Sequence, residues 1–199
     1  MSPQAGPAAG VLALQGDVAE HLRALREAGA AEVREVRRPE QLEGLCTLVL
    51  PGGESTAIGK LMVEYGLDRA ILRRAAEGMA IFGTCAGLIL LATEIEDSEQ
   101  PHLGLLPARV LRNAYGRQVD SFETTIQAPA LDPRPLPAVF IRAPRIESVG
   151  PDVEVLAWHG DHAVLCRRGA LLVATFHPEL TGDRRLHRHA LQLGRGGSG

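Results

Sequence analysis

Lysine is nearly absent from this sequence, and the cations and anions are close to balance. Of the 21 lysines and arginines only Lys60 is a lysine, and 24 aspartates and glutamates bring the formal charge to −3. A nucleic-acid-binding protein usually has a basic face, and nothing in this balance indicates one. The arginine bias therefore points to genome composition rather than to a phosphate-binding patch, and we expect no nucleic-acid partner.

Cysteine is scarce, and long apolar runs are missing. The 3 cysteines, Cys46, Cys85 and Cys166, are odd in number and widely spaced, which argues against a disulfide framework and a cysteine-based zinc cluster. The apolar run at residues 11–14 is too short for a membrane span or a signal peptide, and no lysine or arginine precedes it. These absences predict a cytoplasmic protein without a membrane partner or a metal.

The first half of the chain alternates short apolar strands with helical segments. Continuous apolar runs predict buried strands, and segments with helical spacing follow them. The predicted strands are 11–15, 31–36, 47–50 and 79–82, and the helices are 18–28, 55–65, 67–77 and a segment through Leu88. Asp17 is the predicted N-cap of the first helix. Such a pattern is typical of a parallel sheet covered by helices on both faces. We therefore predict an α/β fold of three layers with a mainly parallel central sheet.

The second half is rich in strands and poor in helical pattern. Strand-like segments occupy 105–111, 119–126, 138–142, 153–159, 163–167 and 171–176, and a helix returns at 182–193. We expect these strands to extend the same sheet, with hairpins forming an antiparallel edge. The composition predicts a flexible leader over residues 1–10, a single domain over 11–193 and a flexible glycine-rich tail over 194–199.

The sequence Gly-Thr-Cys-Ala-Gly at 83–87 stands between a predicted strand and a predicted helix. Its form, G-x-C-x-G, is the thiol counterpart of the nucleophile elbow of hydrolases. A sharp turn there would place Cys85 at a helix N-terminus, which favours a thiolate, and the N–H of Ala86 could bind an oxyanion. Taken alone, the motif fits a buried structural cysteine equally well.

Two further motifs follow apolar strands. Phe-His-Pro-Glu at 176–179 places His177 and Glu179 on one face, so that the carboxylate could hold the imidazole in one tautomer. Its alternative is a strand end with a capping acid. Pro-Gly-Gly-Glu-Ser at 51–55 frees the backbone at Gly53 to present an amide to a ligand, or is a plain strand-to-helix turn. Because the carboxyl ends of parallel strands converge on one crevice, the three motifs would meet there.

Together these residues resemble the class I, triad-type glutamine amidotransferases. More narrowly, the chain is similar to the glutaminase subunits of bacterial pyridoxal 5'-phosphate synthase. The matching stretches cover most of the chain: VLALQG (11–16), LPGGEST (50–56), FGTCAGLILL (82–91), PHLGLL (101–106), RNAYGRQVDSFE (112–123), VFIRAP (139–144) and FHPELT (176–181). The elbow and the His-x-Glu pair belong to the wider class, whereas RNAYGRQVDSFE and VFIRAP are typical of the narrow family.

The resemblance implies a catalytic triad of cysteine, histidine and glutamate. Cys85 would attack the carboxamide carbon of L-glutamine, and His177 would act as general base and then protonate the leaving ammonia. Glu179 would orient His177, and water would hydrolyse the resulting thioester to glutamate. Backbone N–H groups at Gly53 and Ala86 would form the oxyanion hole.

The resemblance also implies a substrate site and a partner. The implied glutamine-binding residues are Gly52, Gly53, Glu54, Arg112, Ile141 and Arg142. An arginine suits the α-carboxylate of glutamine, and Glu54 suits its ammonium group. Ammonia would pass to a separate synthase subunit with a (β/α)8 barrel, which makes pyridoxal 5'-phosphate. The glutaminase subunit itself would bind no pyridoxal phosphate, metal or nucleotide, so we expect no cofactor.

Other functions stay open. The chain could be the glutaminase subunit of another amidotransferase, a non-glutaminase cysteine hydrolase of related fold, or an interaction module without activity. Cys46 and Cys166 lie in apolar surroundings and are predicted to be packing residues. The sequence names no partner for His21 on the first helix, and His187 and His189 are two apart on a helix and make a poor metal pair.

Overall fold

The computed structural model describes residues 6–112 and 121–196. The described strands are β1 (Ala8–Leu12), β2 (Glu32–Val36), β3 (Thr47–Leu50), β4 (Ala80–Thr84), β5 (Ala92–Ile95), β6 (Leu106–Leu111), β7 (Ser121–Ala128), β8 (Asp132–Ile141), β9 (Arg145–Val149), β10 (Glu154–His159), β11 (His162–Arg168) and β12 (Leu171–Ala174). The α-helices are α1 (Val18–Glu27), α2 (Ser55–Glu64), α3 (Leu67–Ala76), α4 (Ala86–Leu91) and α5 (Arg185–Gly196), with short 3-10 helices at Pro39–Leu42 and Pro178–Leu180.

A seven-stranded sheet in the order β10-β11-β12-β4-β3-β1-β2 forms the centre of the molecule. The strands from β12 to β2 are parallel, and β11 pairs antiparallel with both β10 and β12. This arrangement confirms the predicted three-layer α/β fold with an antiparallel edge. It also sets the carboxyl ends of β3, β4 and β12 side by side.

Apolar side chains pack on both faces of the sheet. Residues of β3 point alternately to the two faces, so Leu48 and Leu50 join one core cluster and Val49 joins the other. Helices α2, α3 and α4 contribute to the first cluster, and α1 and α5 contribute to the second. Because both faces are covered, β3 and β4 are buried along their whole length.

The strands of the second half do not all extend the central sheet, so that prediction was wrong. Strands β5, β6 and β9 form a separate three-stranded sheet, and β7 and β8 form a two-stranded antiparallel ribbon. Strand β8 also begins earlier than predicted. The prediction left out its first half because Pro133, Pro135 and Pro137 are untypical of a strand. Proline is tolerated there because each strand of a two-stranded ribbon has an unpaired edge. The predicted strand residues 119–120 lie outside the described part of the chain.

The predicted leader and tail were wrong where they overlap β1 and α5. Strand β1 begins at Ala8 and pairs with both β2 and β3, which buries Ala9 completely. Helix α5 runs to Gly196, and Gly194 packs so tightly that a Cβ would lie 2.4 Å from the carbonyl oxygen of Cys46. Residues 1–5 and 197–199 lie outside the described residues. Within those described, no helix combines the length and apolar character that crossing a bilayer requires.

Candidate active site

Cys85 stands at the sharp turn from β4 into α4. Its backbone angles are φ 48° and ψ −104°, a region that L-residues rarely adopt. The turn is held in place because the Cys85 N–H donates to the carbonyl oxygen of Ala174 at 2.9 Å. It also requires Gly87, where a Cβ would lie 2.0 Å from the carbonyl oxygen of Leu50. Backbone strain that neighbouring structure maintains is a feature of functional sites, and it matches the predicted nucleophile elbow.

His177 and Glu179 follow β12, the strand next to β4. The Nδ1 atom of His177 lies 2.7 Å from Oε1 of Glu179, which is completely buried. The side chain of Cys85 interacts with the imidazole of His177, and both residues line one cleft. An Nδ1–H that donates to Glu179 leaves Nε2 as the basic nitrogen of the imidazole. The fold thus brings the three predicted triad residues together in the order that acid–base chemistry at a thiol requires.

The electrostatics of the pair favour a protonated imidazole. Burial opposes a charge on His177, but hydrogen bonds to Asp17, Cys85 and Glu179 outweigh burial and raise the pKa of His177 well above its ordinary value. Burial raises the pKa of the Glu179 carboxyl as well, and the hydrogen bond from His177 opposes that change. An imidazolium held between acceptors is the partner that a thiolate nucleophile needs.

Asp17 is a site residue that the sequence indicated only as a helix N-cap. It does precede α1, but its side chain makes no capping hydrogen bond. Instead, its Oδ2 lies 3.3 Å from Nδ1 of His177. The carboxylate and the imidazole meet at Gly52, where a Cβ would lie 2.4 Å from Cε1 of His177 and 2.8 Å from Oδ2 of Asp17. Gly52 therefore makes room for the imidazole.

Among the described residues, Asp17, His177 and Glu179 are the one group whose metal-ligating atoms lie close together, within 4.8 Å of one another. The Nδ1 atom of His177 is already hydrogen-bonded to Glu179 at 2.7 Å. A metal ion on that nitrogen would displace the carboxylate that orients the ring. We therefore interpret the group as a hydrogen-bonded network.

A cleft of about 380 Å³ opens in front of Cys85. Its walls include seven of the predicted site residues: Gly53, Glu54, Cys85, Arg112, Ile141, Arg142 and His177. The other three do not line it. Gly52 lies close to His177, Ala86 is the buried first residue of α4, and Glu179 is buried and hydrogen-bonded to His177.

Glu54 and Arg112 form a charged pair in the wall of this cleft. Glu54 caps α2 by accepting from the N–H groups of Thr56 at 3.1 Å and Ala57 at 2.7 Å. Arg112 places Nη2 3.2 Å from Glu54 Oε1, and its Nη1 donates to Thr56 Oγ1 and Gln100 Oε1. Burial opposes ionisation, but the amide hydrogen bonds and Arg112 lower the pKa of Glu54. The wall of the cleft therefore carries a carboxylate and a guanidinium side by side.

The loop that carries Gly53 is fixed by Gln15, which the sequence did not single out as a site residue. Oε1 of Gln15 accepts from the N–H of Glu54 at 2.7 Å. Gly53 has φ 154°, and a Cβ on it would lie 2.5 Å from the same oxygen. Arg142, which also lines the cleft, follows β8 with φ 42°. The predicted motif 112–123 is described only at 112 and 121–123.

Comparison with known proteins identifies the family. The model of the SNO glutamine amidotransferase family matches residues 11–193. This chain belongs to that family. The resemblance to glutamine amidotransferases that the sequence showed is thereby confirmed. The family places the chain among the glutaminases.

Individual relatives agree with this assignment. The pyridoxal 5'-phosphate synthase subunit PdxT of Mycolicibacterium vanbaalenii is 57% identical over 187 residues, which cover 92% of this chain and 95% of the relative. PdxT of Thermus thermophilus is 56% identical over 186 residues, covering 92% and 96%. A crystal structure of a glutamine amidotransferase superimposes with a TM-score of 0.90 at 54% identity, covering 94% of this chain and 99% of the other.

Proposed function

We propose that this chain is the glutaminase subunit of a cytoplasmic pyridoxal 5'-phosphate synthase. It hydrolyses L-glutamine to L-glutamate and ammonia through a triad of Cys85, His177 and Glu179. The observation that carries the chemistry is the strained turn at Cys85, which places the thiol in one cleft with an imidazole that Glu179 holds at 2.7 Å. The relatives named PdxT support the choice of synthase.

In the first half-reaction, the charged pair in the cleft wall orients glutamine. Glu54 faces the substrate ammonium, and the guanidinium of Arg112 or Arg142 faces its α-carboxylate. The sulfur of Cys85 attacks the carboxamide carbon while His177 holds the thiol proton. The N–H groups of Gly53 and Ala86 stabilise the oxyanion. His177 then protonates the leaving nitrogen, the carbon–nitrogen bond breaks, and ammonia and a γ-glutamyl thioester remain.

In the second half-reaction, water attacks the thioester carbonyl. His177 takes the proton of the water, the same amides stabilise the second oxyanion, and the carbon–sulfur bond breaks. Cys85 is released with the proton shared between its sulfur and His177, and glutamate leaves. Glu179 remains hydrogen-bonded to Nδ1 throughout, because the imidazole must keep one tautomer in both steps.

Ammonia is delivered to a separate synthase subunit, expected to be a (β/α)8 barrel. The direct test is a glutaminase assay with and without that subunit, on the wild type and on Cys85→Ala and His177→Ala. We expect glutamate release by the wild type and its loss in both variants, whereas Cys46→Ala and Cys166→Ala remain active.

Each remaining alternative predicts a different result in the same assay. Release by Cys85→Ala would overturn the triad. A thiol-dependent activity without preference for glutamine would indicate another cysteine hydrolase. A glutaminase that co-purifies with a different acceptor subunit, and not with the barrel, would assign the chain to another synthase.

A further inference from the structure

His21 lies behind the triad and is completely buried. Its Nε2 atom lies 3.4 Å from Oε2 of Glu179 and 3.0 Å from Oγ1 of Thr84. Its Nδ1 atom lies 3.0 Å from Nε2 of His187, which is also completely buried. Thr84 directly precedes Cys85, so this polar chain joins α1, the end of β4 and α5 to the acidic member of the triad.

The outer oxygen of Glu179, Oε2, needs a hydrogen-bond donor from this chain of polar side chains. Oε1 is hydrogen-bonded to His177, but Oε2 is buried without a well-formed hydrogen bond within the described residues. The contact to His21 at 3.4 Å is long, and the same Nε2 atom also faces Thr84. A buried anionic oxygen without a donor is costly, so a proton on Nε2 of His21 would be shared between the two oxygens.

The neighbours select that tautomer. If His21 carries its proton on Nε2, its Nδ1 accepts from Nε2–H of His187, and only the lone pair on Nδ1 of His187 is left without a partner. In the opposite tautomer Nδ1 of His21 donates to His187, which then buries an N–H without an acceptor. That arrangement would also leave Oε2 of Glu179 without a donor. The first arrangement leaves fewer buried polar groups unsatisfied.

We propose that His21 is a positioning residue of the glutaminase reaction: its Nε2–H, fixed by His187, holds Oε2 of Glu179 so that Oε1 stays on His177. The kinetic part of this inference rests on the proposed function. His21 does not line the cleft and touches no substrate. Its loss therefore changes kcat and leaves KM nearly unchanged.

Without His21, the carboxylate of Glu179 would lose its orientation in a specific way. An outer oxygen with no donor favours rotation or protonation of Glu179, and either change weakens the hydrogen bond to His177. Asp17 Oδ2, at 3.3 Å from the same Nδ1, then competes for the imidazole from the α1 side. Since Asp17 lies in the cleft wall, the ring would be drawn away from its alignment with Cys85.

The test compares two amide variants, each of which keeps a nitrogen at one of the two ring-nitrogen positions, in the complex with the barrel subunit. In His21→Gln the side-chain amide nitrogen occupies the place of Nε2, whereas in His21→Asn it occupies the place of Nδ1. A misplacement of the imidazole by about 1 Å costs roughly 100-fold. In His21→Asn we expect kcat to fall on the order of 10- to 100-fold, with KM within about twofold of the wild type. We expect His21→Gln to retain most of the wild-type kcat. His189→Leu, on the same helix as His187 but outside the network, should match the wild type.

A second readout does not depend on activity. Nitrogen-15 NMR of the histidine side chains should show His21 protonated on Nε2 alone and His177 as an imidazolium, with the Nδ1–H signal of His177 shifted in His21→Asn and retained in His21→Gln. This pattern would support the inference even if glutamine were not the substrate. Folded Asn and Gln variants with equal kcat and an unchanged His177 signal would overturn it, as would an Nδ1-protonated His21 in the wild type.

Discussion

Replacing Gly52 with alanine would place a methyl group against the imidazole of the triad. The new Cβ would lie 2.4 Å from Cε1 and 3.0 Å from Nδ1 of His177, and 2.8 Å from Oδ2 of Asp17. Gly52 is not among the glycines with positive φ, so its backbone accepts alanine and the perturbation is steric. Carbon atoms in contact lie about 3.5–4.0 Å apart. The imidazole must therefore move by roughly 1 Å or more.

A movement of this size breaks the alignment between the imidazole and the sulfur. Nδ1 of His177 would leave its 2.7 Å contact with Glu179, while Cys85 is held by its backbone turn. Misplacing a catalytic group by about 1 Å costs on the order of 100-fold. We expect kcat/KM to fall roughly 100-fold, whereas overpacking lowers the free energy of unfolding by only about 1–3 kcal/mol.

The assay is steady-state glutamate release in the complex, with urea denaturation as the measure of folding. Gly182→Ala is the matched control, because no heavy atom lies within 4 Å of a Cβ at that position. The control should keep both wild-type activity and wild-type stability. A folded Gly52→Ala variant that retains kcat/KM within about threefold would refute the reasoning, because the imidazole would then tolerate a displacement that the geometry forbids.

Three other perturbations test separate parts of the account. Glu54→Ala removes both the cap of α2 and the carboxylate of the cleft, so we expect urea denaturation to show a loss of about 1 kcal/mol in stability and the assay to show a raised KM. Glu54→Ser should restore the cap but not the wild-type KM. A normal KM in either variant would contradict the assignment of Glu54 to substrate binding. Burial lowers the pKa of His187 to about 3 and that of His21 well below its ordinary value. The unfolded chain therefore binds protons that the folded chain does not bind. The free energy of unfolding should fall as the pH drops from about 6.5 to 5, by up to ~1.4 kcal/mol per pH unit for each histidine. The raised pKa of His177 acts in the opposite sense: its stabilisation grows slightly as the pH falls through the unfolded pKa of 6.5 and becomes constant below it. Because this contribution is present in both proteins, His187→Leu should flatten the pH dependence of the urea midpoint, and an equal slope in wild type and variant would count against it. Dialysis against EDTA should leave glutaminase activity intact because Nδ1 of His177 is held by Glu179, and a loss that zinc restores would show that the cluster with Asp17 holds a metal.

The parallel core was predictable from the sequence because its strands are apolar on both faces. Strand β3 was predicted at 47–50 and is found at Thr47–Leu50. The crevice at the strand ends followed from topology, since three motifs after three strands must meet at one edge. Local chemistry and strand order together therefore indicated the elbow, the His-x-Glu pair and the Gly-Gly loop.

The features that the sequence missed depend on tertiary pairing. Whether a strand extends the central sheet or forms a ribbon depends on which strand edge it pairs with in the folded protein. The first half of β8 was not predicted because its prolines are untypical of a strand. Asp17 reads as an N-cap because that is the common use of aspartate before a helix. His21 is separated from its partner His187 by 166 positions, and no local pattern could have paired them.

The central claim is that the thiol of Cys85 attacks the carboxamide of glutamine, and an electrophilic glutamine analogue tests it most directly. The sulfur of Cys46 lies 3.1 Å from the carbonyl oxygen of Ala8, and burial raises the pKa of the Cys166 thiol to about 12, so neither should react. Peptide mapping by mass spectrometry should find one label per chain, on Cys85, and glutamine should protect against it. A label on Cys46 or Cys166 with Cys85 unmodified would contradict the account.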